Sequence, residues 1–121
     1  MPSISFIIHK GVRIVYQDLS NSKPDEILDH IKRARSLVSI QRKHSALVLI
    51  NVKGAGFNLS VTNTLREFAK TNAPYVKYTA VYGVEGLQDV IFKGVLTFTG
   101  RKNIILVKTL EEGKDFLASQ K

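Results

Sequence analysis

No cysteine occurs anywhere in the 121 residues. Disulfides, thiolate nucleophiles and cysteine-based metal sites are therefore excluded together. Tryptophan is absent as well, and methionine occurs once. Long apolar runs are missing too: the longest is Ala46 to Ile50, far short of the ~20 residues needed to cross a bilayer. The apolar residues Ile4, Phe6, Ile7 and Ile8 are followed at once by His9, Lys10 and Arg13. A signal peptide needs a longer apolar core and a small-residue cleavage site. A cytoplasmic location is expected.

What is present has a globular balance, with 44% hydrophobic and 23% charged residues. That predicts one domain, residues 1–121, with a core of its own. Acids are scarce relative to bases, ten against eighteen, which leaves a net charge of +8. Such an excess suits nucleic acid, an anionic lipid surface or an acidic protein. The bases, however, are spread from Lys10 to Lys121, and the densest groups are Lys32, Arg33, Arg35 and then Arg42, Lys43. No aromatic residues interleave them and no nucleic-acid motif surrounds them. They read as a solvated helix terminus, and nucleic acid is not an expected partner.

The apolar pattern alternates between two periods. Ile4 to Ile8 predicts a strand, Lys10-Gly11 a turn, and Val12 to Leu19 a second strand, together an antiparallel hairpin. In the second strand Val12, Ile14 and Tyr16 alternate with Arg13, Val15 and Gln17, which predicts one face only partly buried. Ser22 as N-cap, Pro24, and the acids Asp25 and Glu26 predict a helix start. Ile27, Ile31, Ala34 and Val38 form its apolar stripe. The unbroken run Ala46 to Ile50 predicts a strand covered on both faces. A glycine-bearing loop, Val52 to Leu59, leads to a helix with Val61, Leu65, Phe68 and Ala69 inward, stopped by Asn72-Ala73-Pro74. Val76 to Tyr82 predicts a strand, Leu87 to Phe98 a helix ended by Gly100, and Ile104 to Val107 the last strand. Thr109 and Glu112 form a capping box that opens the final helix. The order β-β-α-β-α-β-α-β-α implies an α/β fold, with a mixed, mostly parallel sheet and flanking helices.

Few residues point to catalysis. His9, His30 and His44 lack ligand spacing, so they read as surface or boundary residues, and no metal site and no cofactor are expected. Asp25-Glu26 and Glu111-Glu112 stand in helix first turns, where the helix dipole accounts for them. Gly54-Ala55-Gly56 lies between a strand and a helix. It reads either as a phosphate-approaching loop or as a sharp turn; the third glycine of a dinucleotide pattern is replaced by Leu59. In an open parallel sheet, ligands bind beyond the carboxyl ends of the strands. The loops gathered there should be Ser20 to Lys23, Lys53 to Ser60, Gly83 to Gly86 and Lys108-Thr109.

Several segments carry a family resemblance in their order and spacing: GVRIVYQDLS, SALVLINVKGAGFN, LREFAKTNAPYVKYTAVYGVEGLQDVIFKGVLTFTGR and TLEEGKDFL. The chain resembles the SpoIIAA-like family of STAS/CRAL-TRIO-related single-domain bacterial proteins. The resemblance implies a four- or five-stranded mixed sheet flanked by helices and a non-enzymatic, regulatory role. Some STAS relatives antagonise anti-sigma factors and are switched by phosphorylation of a serine at a helix start, after an aspartate. Here the matching stretch is Asn58-Leu59-Ser60, which lacks the acid and places the serine at Ser60.

Two functions follow as expectations. One is a regulatory protein-interaction module, with an unidentified protein partner and Ser60 as its phosphorylation position. The other is a binder of a small anion, nucleotide or lipid in the crevice at the sheet edge. The residues expected to form either surface are Lys53, Gly54, Gly56, Asn58, Ser60, Gly83, Glu85 and Gly86.

Overall fold

The computed structural model describes residues 2–40, 42–43, 45–86, 93–94 and 103–120. A hairpin of β1 (Ser3–His9) and β2 (Val12–Asp18) comes first, followed by α1 (Pro24–Ser39) and β3 (Ala46–Asn51). Next are α2 (Leu59–Thr71), a 3-10 turn at Ala73–Tyr75, β4 (Val76–Tyr82), β5 (Ile104–Val107) and α3 (Leu110–Ser119). The helix expected over Leu87 to Phe98 and its stop at Gly100 fall outside the described residues, Lys93 and Gly94 aside. His44 falls outside them as well.

The sheet is mixed, with spatial order β1-β2-β3-β4-β5. β1 pairs antiparallel with β2, and every later pair is parallel. Each described crossover thus moves the chain one strand along in the same direction. Right-handed crossovers then put α1 and α2 on one face. That face holds Val15, Leu19, Ile27, Ile31, Ala34, Val38, Val48, Val61, Phe68 and Val81 in one cluster. On the opposite face Val12, Ile14, Leu47, Leu49, Ala80 and Val107 pack with Leu117 of α3. α3 touches all five strands. Tyr78 of β4 and Phe116 of α3 meet edge to face, with ring centroids 5.4 Å apart. The continuous run in β3 is explained by this sandwiching: Val48 faces the first cluster and Leu49 the second, and both are buried. Among the described residues no helix is long and apolar enough to cross a membrane.

The face of β2 expected to be partly buried is so: Val15 and Gln17 are as buried as Val12 and Ile14, while Arg13 beside them is exposed. Three local expectations are corrected. Ser22 does not cap α1. It is buried, and its carbonyl accepts a hydrogen bond from the Gly56 amide at 2.8 Å. Lys23 takes the N-cap position, its N–H donating to the Glu26 carboxylate at 2.9 Å. Lys32, Arg33 and Arg35 lie mid-helix, not in the last turn, because α1 continues to Ser39. They form a solvated side of the helix. Lastly, His30 is no boundary residue: it is 1% exposed. It occupies the apolar stripe between Ile27 and Ile31, where its hydrogen bond to Gln17 relieves the cost of burying a ring nitrogen.

Candidate functional site

The carboxyl edge of the parallel strands is built by loops that bond to one another. The Leu19 amide donates to the Asn51 carbonyl at 2.8 Å, and Asn21 to Lys53 at 3.0 Å. Val52 donates to Tyr82 at 2.8 Å. The sheet ladder is in effect prolonged past the strand ends. Glycines occur where these loops touch. Gly54 has φ +71°, and a Cβ there would strike the Asn21 side chain. A Cβ on Gly56 would sit 3.1 Å from Pro24 Cδ.

This contact pattern decides between the two readings of Gly54-Ala55-Gly56. A phosphate cradle needs backbone N–H groups aimed outward. Instead Lys53 N–H donates to Asn51 Oδ1 at 3.1 Å, Ala55 N–H to the Val52 carbonyl at 3.0 Å, and Gly56 N–H to Ser22. The glycines serve a tight turn docked on the loop after β2.

The other candidates separate into two places. Lys53, Gly83 and Glu85 line an open notch of about 450 Å³ together with Tyr82, Val84, Leu106, Val107 and Lys108. Lys108 was not among the expected site residues, although its loop was. Asn58 and Ser60 do not line the notch; they belong to the start of α2. Asn58 is the N-cap, its Oδ1 accepting from Val61 N–H at 2.9 Å. Ser60 is in the first turn and exposed. Beside it Leu59 is 76% exposed. Gly86 is exposed, with φ +52°, and a Cβ there would meet none of the described residues within 4 Å.

An enclosed cavity lies between α1, α2 and the sheet, lined by Gln17, Leu19, Ile31 and Phe68 among others, with a volume of about 30 Å³. That is room for about one water and none for an acyl chain. His30 is buried beside Gln17, and its Nδ1 has no hydrogen-bond partner among the described residues. Burial and the nearby Arg33 charge push its pKa down to about 4, so the ring is neutral at physiological pH. At the far end of the sheet, His9, Glu111 and Asp115 are brought together. Sequence reasoning did not pair them. The only local signal was the four-residue spacing of the two acids.

No protein-family model matches the chain, and no curated protein does. Among solved structures, it is similar to an uncharacterised protein of the DUF3478 family from Shewanella loihica PV-4, described as having a SpoIIAA-like fold. The two share 13% identity with a TM-score of 0.73, over 96% of this chain and 93% of that one. The fold of this chain is thus SpoIIAA-like, as the resemblance in its sequence implied.

Proposed function

We propose that this chain is a non-catalytic protein-interaction module that docks a partner on the surface around the first turn of α2, with phosphorylation of Ser60 as its regulator. The observation that carries this reading is Leu59: a large apolar side chain, 76% exposed at the first position of α2 and adjacent to the exposed Ser60. Covering one leucine is worth roughly 2 kcal/mol. A phosphate on Ser60 adds about −1.5 to −2 charges. The positive end of α2 favours that charge, while an apolar partner covering Leu59 would have to desolvate it. Binding and modification at neighbouring residues therefore oppose each other. The SpoIIAA-like fold supports the reading by analogy of architecture.

Affinity capture from a native extract with the wild-type, Leu59→Asp and Ser60→Asp chains tests it. A partner held by the wild type and lost by both variants is expected. A partner held equally by all three would overturn the proposal.

A second reading has its own observation. The notch between β3, β4 and β5 is lined by Lys53 and Lys108 against the one acid Glu85, a positive balance that suits a small anion. Titration with inorganic phosphate, followed by amide NMR shifts in the wild type and in Lys108→Ala, separates the two. Shifts confined to the notch and lost in the variant favour the anion.

A further inference from the structure

β1 ends at His9, and Lys10 and Gly11 reverse the chain with φ of 51° and 76°. Two residues with positive φ make a tight hairpin turn, which fixes the register and places His9 opposite Val12. Val12 faces the cluster that includes Leu117 of α3, so the His9 ring is directed toward α3. On that helix Glu111 and Asp115 are four residues apart and share one side. His9 Nε2 is 2.7 Å from Asp115 Oδ1. One donor atom from each of the three side chains lies within 4.8 Å of the others.

We propose that His9, Glu111 and Asp115 form a zinc-binding site, with His9 Nε2 and one oxygen from each carboxylate as ligands and water completing the tetrahedron. Tetrahedral zinc with ligands at ~2.0–2.2 Å needs donors roughly 3.4 Å apart. His9 and Asp115 are already closer than this. Rotation of the exposed Glu111 side chain (72% exposed) supplies the rest. His9 is the fixed point, with 20% of its side chain exposed. One imidazole with two carboxylates favours zinc over magnesium or calcium, which take all-oxygen shells.

Two ammonium groups compete for the same acids. Lys10 Nζ is 2.9 Å from Asp115 Oδ1, and Lys114 Nζ is 3.3 Å from Glu111 Oε1. Without zinc these contacts act as a clip between the hairpin turn and α3. With zinc, the Lys10 ammonium must leave Asp115. Removing Lys10 would weaken a simple clip, whereas it strengthens a metal site by withdrawing a rival cation.

Zinc titration by calorimetry on the full chain, with cobalt absorption as a second readout, distinguishes these cases. One zinc per chain is expected, weakened at least about tenfold by His9→Ala and by Glu111→Gln. Lys10→Ala should tighten zinc several-fold, and magnesium should give no heat. Glu111→Gln changes an exposed side chain, so a folding defect cannot mimic the loss; circular dichroism checks this. The proposal fails if the wild type takes up no zinc, if His9→Ala binds as the wild type does, or if Lys10→Ala binds zinc no more tightly.

Discussion

His30 of α1 and Gln17 of β2 meet inside the core, with Nε2 2.9 Å from Oε1 and both residues at most 2% exposed. The oxygen can only accept, so the neutral ring carries its proton on Nε2. This is the polar joint between the first helix and the sheet.

That joint makes stability depend on acid. The folded-state pKa of His30 is about 4, below its ordinary value of 6.5. Between these values the unfolded chain binds more protons than the folded one, so stability rises with pH. The contribution is complete above pH 6.5 and is lost as pH falls toward 4. Its size is on the order of 2 kcal/mol, allowing for relaxation around a charged ring. Urea unfolding at pH 7 and pH 5 should show this loss, and His30→Leu should lack it. Equal pH slopes in the two proteins would refute the assignment.

Gly113 of α3 lies against Leu49 of β3. A Cβ at Gly113 would come within 2.7 Å of Leu49 Cδ1 and 3.2 Å of Val107 Cγ2. Alanine normally gains about 1 kcal/mol over glycine within a helix. Here Gly113→Ala should instead destabilise by about 1–2 kcal/mol through overpacking. Leu49→Ala alone should cost about 2–5 kcal/mol. Combined, the two should cost less than their sum, because the truncated residue 49 makes room. Strict additivity in thermal unfolding would show that the contact is not tight.

Gly83 should tolerate no side chain. Its φ is +93°, and a Cβ would stand 2.6 Å from the Lys53 backbone nitrogen. Gly83→Ala is expected to cost more than about 2 kcal/mol. Gly86→Ala, at φ +52°, meets none of the described residues within 4 Å and should cost about 1 kcal/mol. Denaturation midpoints in the reverse order would contradict the docking of the two loops.

The start of α2 separates capping from signalling. Asn58→Ala removes the acceptor for Val61 N–H and should cost about 1 kcal/mol. Ser60→Ala should cost less than about 0.5 kcal/mol, as exposed substitutions do. A larger cost at Ser60 would make it a structural residue and weaken its regulatory assignment.

The strands and most helix limits were legible because their signals are local. Ala46 to Ile50 has no polar alternation, and a strand covered on both faces is the outcome. Thr109 caps α3 as the spacing to Glu112 implies, accepting from Glu112 N–H at 3.0 Å. His30 was legible in principle, since it sits three residues after Ile27 and four before Ala34 on the apolar stripe. Ser22 misled because a serine before proline resembles a cap, while its carbonyl is claimed by Gly56, a residue thirty-four positions on. The loop contacts and the meeting of His9 with Asp115 depend on distant chain segments, and no local pattern encodes them.

Strand order in the sheet follows chain order. During synthesis, then, each described strand finds its sheet neighbour already made, and the sheet lengthens at one growing edge. The opposite surface is treated differently. Ile14, Leu49 and Ala80 are complete early, yet α3, which packs over them, leaves the ribosome after every one of the strands. A nascent chain stalled before Leu110 would present that apolar surface to its surroundings without α3, and such stalled chains are where chaperone capture and aggregation should concentrate.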